Sequence, residues 1–161
     1  MKNILINYIQ TEFNNEKTDI YVDMDGVIVD YDMINYSKHK ENDDVYFNKR
    51  PINTVLNILC EVSKLENVTI HILSVSRYQR QIQGKLDWLK KYAPFIDKEN
   101  INIIPRDVNK FEKADVLKSN FFTKLQNNNK IILIDDSHSV LQTVFKNNSQ
   151  VIPFHISSII D

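Results

Sequence analysis

The sequence predicts an α/β fold three layers deep, with a parallel sheet held between two layers of helix. Three observations carry that prediction. Five short apolar runs are continuous and rich in Ile and Val, the pattern of strands buried on both faces. Segments with apolar residues at three- and four-residue spacing lie between these runs. Strands and helices that alternate in this way join as parallel neighbours through crossovers. A chain of 161 residues is long enough for one domain, residues 1–161, with a core of its own.

The elements follow in order. Met1–Lys17 carries Ile4, Leu5, Tyr8 and Ile9 on one helical face, predicting an N-terminal helical extension over residues 1–17. The first strand is Ile20–Val22, running into Asp23. Residues 30–50 are polar, charged and aromatic (Tyr31, Tyr36, Tyr46, Phe47) and form a small insertion. Pro51 stands at a plausible helix start, with Ile52, Val55, Leu56, Leu59, Val62 and Leu65 as its apolar stripe. Val68–Leu73 is the second strand. Tyr78, Ile82, Leu86, Leu89 and Tyr92 mark the next helix, which Pro94 stops. Ile101–Ile104, Ile131–Ile134 and Val151–Phe154 are the remaining strands, separated by helical stretches at Phe111–Leu125 and Ser139–Phe145.

Composition narrows the function. Net charge is −1 and charged residues make up 25%, so no general electrostatic attraction draws the chain to nucleic acid or to an anionic membrane. One cysteine, Cys60, excludes an intrachain disulfide and a multi-cysteine zinc site. The N-terminal residues lack the apolar core of a signal peptide, and no run approaches 18 apolar residues. The expectation is a cytoplasmic protein. Glycine is scarce: there are two, Gly26 and Gly84, so the position of each is informative.

A parallel sheet keeps its chemistry at the carboxyl ends of its strands. Here the first strand ends in Asp23-Met24-Asp25-Gly26 and the second in Ser74. The third is followed by Pro105-Arg106-Asp107, Lys110 and Lys113, and the fourth ends in Asp135-Asp136. Carboxylates at close range repel, so one is protonated or all share a cation. Oxygen ligands without Cys or His select Mg²⁺, which keeps waters and takes substrate phosphate as a further ligand. A lysine and a hydroxyl hold a phosphate, and Gly26 permits a tight turn that turns amides toward it. An aspartate nucleophile with a second carboxylic acid two residues on suffices for phosphoryl transfer through an aspartyl-phosphate.

Asp23-Met24-Asp25-Gly26-Val27, Ser74, a downstream lysine and Asp135-Asp136 resemble the four motifs of the haloacid dehalogenase (HAD) superfamily, over roughly residues 20–155. Asp23 through Tyr31, with Lys49-Arg50-Pro51 and Trp88-Leu89, is similar to the 5′(3′)-deoxyribonucleotidases and their bacterial relatives. The resemblance implies a Rossmann-like HAD fold, with residues 30–50 as a small cap over the site. It implies Asp23 as nucleophile and Asp25 as general acid and then base. Mg²⁺ would lie on Asp23, the Asp25 carbonyl and the Asp135-Asp136 pair. Ser74, Gly26 and a lysine would hold the phosphate, with Lys110 favoured and Lys113 second. Tyr31 matches the aromatic that packs on the substrate's base.

The leading reading is a Mg²⁺-dependent phosphomonoesterase acting on a small phosphorylated metabolite, with a nucleoside monophosphate as the sharper form. Its alternatives are a non-catalytic phosphate-binding or signalling module and a nucleic-acid 3′-phosphatase. A receiver domain has its acidic pair after the first strand, whereas this pair follows the fourth. Plainer roles fit other residues: His71 as a core histidine, His138 as a capping or surface one, and Cys60 and Trp88 as core. Arg77 either touches substrate or solvates a helix start.

Overall fold

The computed structural model describes residues 3–14, 16–31, 45–108, 110, 112, 113, 115 and 129–160. Five strands form one parallel sheet: β1 (Thr18–Val22), β2 (Val68–Ser76), β3 (Ile101–Pro105), β4 (Lys130–Asp135) and β5 (Val151–His155), in the spatial order β3-β2-β1-β4-β5. Four α-helices accompany it among the described residues: α1 (Ile4–Glu12), α2 (Asn53–Val62), α3 (Ile82–Tyr92) and α4 (His138–Asn147). Most of the predicted Phe111–Leu125 helix, and residues 32–44 of the insertion, lie outside the described residues.

Strand alternation divides the core between the two faces. Ile20 and Val22 of β1, Ile70 and Ile72 of β2 and Ile132 and Ile134 of β4 pack with Leu5 and Ile9 of α1, Val55 and Leu59 of α2 and Trp88 of α3. Tyr21, Leu73, Ile131 and Leu133 face the other way, onto Leu141 and Val144 of α4. The same alternation sets the chemistry. Val22 pairs with Ile134 and the Asp23 N–H donates to the Ile134 carbonyl at 3.0 Å, so Asp23 and Asp135 emerge side by side on one face.

Two boundaries depart from expectation. Pro51 does not open a helix. It forms an antiparallel bridge with Val29, and α2 begins at Asn53, with Ile52 at its cap. The Ile52 N–H donates to the Ile28 carbonyl and the Asp30 N–H to the Arg50 carbonyl, so the two ends of the insertion are stitched together at its base. β2 runs past Leu73 to Ser76 because β3 pairs with it from Ile72 to Ser76. Within residues 1–17 the helix spans Ile4–Glu12, anchored by Leu5 and Ile9 and capped by the Asn3 side chain on the Ile6 N–H. His71 is a bonded core histidine, 2.6 Å from Asp19 and stacked on Tyr21.

Leu59 is fully buried at the junction of α2 with the sheet. Leu59→Ala is expected to lower unfolding free energy by about 2–5 kcal/mol, read as a shifted urea midpoint with an unchanged slope.

Candidate active site

The turn after β1 is wound around one carbonyl. Met24 accepts from the N–H groups of Val27, Ile28 and Val29, which sends the chain back on itself directly beyond Asp23. Gly26 sits in that turn at φ +80°, the left-handed region. A Cβ there would lie 2.3 Å from the Asp136 carboxylate and 2.5 Å from the Tyr31 ring. The expectation that Gly26 offers its amide to a phosphate needs correction: that N–H donates to the Val29 carbonyl at 2.9 Å. Its role here is to let Asp136 and Tyr31 close over the turn.

Above the strand ends lies a cavity of about 560 Å³, lined in part by Asp23, Asp25, Tyr31, Lys113, Asp135 and Asp136. Lys113 bridges Asp23 and Asp135, with Nζ 2.7 Å from an oxygen of each. The second oxygen of Asp135 accepts from the Ser137 N–H at 2.8 Å, which fixes the carboxylate at the start of α4. Lys110, the lysine favoured from spacing, is exposed and does not line the cavity. Lys113 stands where that lysine was expected.

Asp25 is held by a different set of groups. Lys49 donates to one of its oxygens at 2.6 Å, and Lys85 to the other at 2.9 Å. The Tyr46 hydroxyl donates to that second oxygen as well. Lys85 is almost wholly buried, and it also donates to Ser74 Oγ at 2.7 Å and to the Val75 carbonyl at 2.8 Å. Ser74 is therefore beneath Lys85 and is not one of the cavity's lining residues. The Trp88 indole donates to the Lys49 carbonyl at 2.9 Å, tying α3 to the returning end of the insertion.

Sequence reasoning did not single out Lys85 or Tyr46 for the site, and quoted Lys49 only within a motif. Lys85 carried a usable signal. It lies three residues after Ile82 and four before Leu89, on the face of α3 that packs inward, where an unpaired lysine is not tolerated. The signal for Lys49 was its place in the Lys49-Arg50-Pro51 motif and for Tyr46 its place in the insertion, whose closed base brings both to Asp25.

These placements set the protonation preferences. Burial, opposed by Lys113 and reinforced by Asp135, leaves the Asp23 carboxyl above its ordinary range. Burial also works to raise Asp25, but the Lys85 and Lys49 ammoniums and the bonds from Lys49 and Tyr46 overcome it, holding Asp25 well below that range. Asp136 is raised by burial and by the charges of Asp135 and Asp23. Burial works against the Lys113 charge, yet Asp23 and Asp135 raise it; in Lys85 burial prevails and lowers it. Burial and the nearby carboxylates, Asp136 first, push the Tyr31 phenol up to about 12.

Asp23, Asp135 and Asp136 each offer an oxygen within 4.8 Å of the others. Ionised, they carry three negative charges against the single positive charge of Lys113, and a divalent cation would balance the remainder. Oxygen donors of this kind, two buried and one partly so, fit Mg²⁺. His138 takes no place among them: it stacks on His155 at 4.3 Å, and His155 Nε2 lies 3.0 Å from the Asp136 carbonyl oxygen.

No protein-family model matches the chain, and no curated protein matches it. A solved structure does: the N-terminal part of the protein BF1531 from Bacteroides fragilis, containing a phosphatase domain complexed with Mg. The two superpose with a TM-score of 0.56 at 15% identity, over 93% of this chain and 39% of that one. The likeness is one of fold, and this chain spans well under half the length of its neighbour. Among the described residues, no helix is long and apolar enough to cross a membrane.

Two measurements test this geometry. Gly26→Ala is expected to cost about 1–3 kcal/mol in denaturant titration, from left-handed backbone strain and the clash with Asp136. Asp25 has a depressed folded-state pKa, so its contribution is complete above the unfolded value near ~3.9 and is lost as pH falls below it. Between pH 5 and pH 3 the wild type should therefore lose more thermal stability than Asp25→Asn; equal losses would contradict the assigned environment.

Proposed function

We propose that this chain is a Mg²⁺-dependent phosphomonoesterase of the HAD type, acting through an aspartyl-phosphate on a small phosphorylated metabolite. The observation that carries the reading is the position of Asp23. It is a buried carboxylate at the mouth of a parallel sheet, bridged by Lys113 to Asp135 and opening on the cavity. A neighbour of the same fold that is a phosphatase domain complexed with Mg supports it.

In this reading an Asp23 oxygen attacks phosphorus. The bond to the leaving oxygen breaks, its electron pair goes to that oxygen, and Asp25, when protonated, supplies the proton. Water then attacks the phosphorus of the aspartyl-phosphate and gives its proton to Asp25, releasing phosphate and restoring the Asp23 carboxylate. Asp23, Asp135 and Asp136 would hold Mg²⁺, which would supply charge neutralisation at the phosphoryl oxygens. Lys113 adds a fixed positive charge beside the nucleophile, and Lys85 and Lys49 orient Asp25. Since these lysines favour ionised Asp25, its role as base is the better supported of the two. Tyr31, about half exposed at the cavity wall, offers a ring for a nucleoside base, the sharper form of the proposal.

Para-nitrophenyl phosphate with Mg²⁺ is the direct assay. Asp23→Asn should retain the thermal transition and lose about 10³-fold or more in turnover, because an amide forms no acyl-phosphate. Excess chelator should stop the wild type. Undiminished hydrolysis by Asp23→Asn would refute the nucleophile, and undiminished hydrolysis in chelator would refute the metal.

A further inference from the structure

We propose that the substrate carries, besides the scissile phosphate, a second oxyanion, and that Arg77 and Arg106 bind it. The inference rests on the phosphatase reading of Asp23 and deepens it.

The two arginines are brought together by the sheet. Ser76 and Pro105 are register partners at the ends of β2 and β3, and the Arg106 N–H donates to the Ser76 carbonyl at 2.9 Å. Arg77 and Arg106 are each the next residue, so they leave the sheet as neighbours. Both line the cavity that holds Asp23. β2 lies beside β1, and β3 beyond it. With strands ~4.8 Å apart, the pair stands one to two strand spacings, roughly 5–10 Å, to the side of the nucleophile's strand. That is the span of a small molecule bearing two charged groups.

The cavity's other cations are already engaged. Lys113 is shared by Asp23 and Asp135, and Lys49 is bonded to Asp25. Arg77, by contrast, makes no hydrogen bond or ion pair among the described residues; its guanidinium lies over the Tyr78 ring, 5.3 Å from the centroid. A cation held over a ring keeps its N–H groups open to an acceptor. Arg106 pairs with Glu112 at 3.1 Å, both partners being more than half exposed. An ion pair in that much solvent yields readily to a bound anion. Guanidinium forks match the oxygens of phosphate and of carboxylate. The cavity thus has an acidic pole built for a cation and a phosphoryl group, and a separate basic pole with donors to spare.

The test compares matched substrates by kcat/KM. A nucleoside 3′,5′-bisphosphate is set against the 5′-monophosphate, and a phosphoglycerate against glycerol phosphate; the pairs separate a second phosphate from a carboxylate. The wild type should prefer the member bearing the second anionic group in at least one pair by about tenfold or more. Arg77→Gln/Arg106→Gln should reduce that ratio to within about twofold of one, as expected when a charge-assisted bond is lost. Lys146→Gln, which removes an exposed charge on α4 away from the cavity, should keep the ratio. Both arginines are exposed, so the double variant should fold, checked by its thermal transition. No preference in either pair, or a preference that survives the double variant, overturns the inference. If the wild type hydrolyses no phosphate ester, the phosphatase reading fails, and dissociation constants of the same pairs by calorimetry decide the arginine site by the same ratios.

Discussion

Carboxylates end two adjacent parallel strands, and the site depends on holding that negative charge at close range. Asp23 and Asp135 follow strands in direct register, and Asp136 folds back until it touches the turn at Gly26. Three such groups repel unless cations stand among them. Lys113 serves Asp23 and Asp135, and Lys85 and Lys49 serve Asp25. The separation has a chemical consequence. Asp23 and Asp25, two residues apart, lie in environments that push their protonation in opposite directions. Sequence proximity alone does not supply such a difference; the cations brought to each carboxylate do.

Lys85 links this charge balance to the fold. It is an almost fully buried lysine on the helix after β2, and all its donors are used by Asp25, Ser74 and the Val75 carbonyl. A buried ammonium without such partners would be costly, so α3 is held in one rotational setting over β2. Trp88, one turn on, reaches the Lys49 carbonyl and ties the insertion's return to the same helix. The serine of the second strand acts within this arrangement: as the residue that accepts from Lys85, it sets the height of the lysine beneath the cavity.

The sheet was legible because continuous apolar runs have few alternatives in a short chain, and all five strands form where those runs lie. The acidic residues were legible too, since they end strands and leave no competing role. Lys110 and Lys113 were not separable by spacing: both follow β3, and only the chain's path brings Lys113 to within 2.7 Å of Asp23. Pro51 illustrates a similar limit. Its fixed φ suits a helix start and equally an extended bridge, and pairing with Val29 decides for the bridge. Gly26 was correctly marked as special for its backbone, while its amide proved to be used inside the turn.

By itself the sequence determined the α/β class, the five strands and the carboxylates that end the first and fourth, because periodicity and residue type are local properties. Tertiary structure decided which cations meet those carboxylates. Lys49, Lys85 and Lys113 come from the insertion base, from α3 and from a helical position after β3, far apart in the chain, and only tertiary packing brings them together. The same packing left Arg77 and Arg106 side by side at the cavity's edge, because parallel register, unlike sequence distance, places consecutive strand ends next to each other.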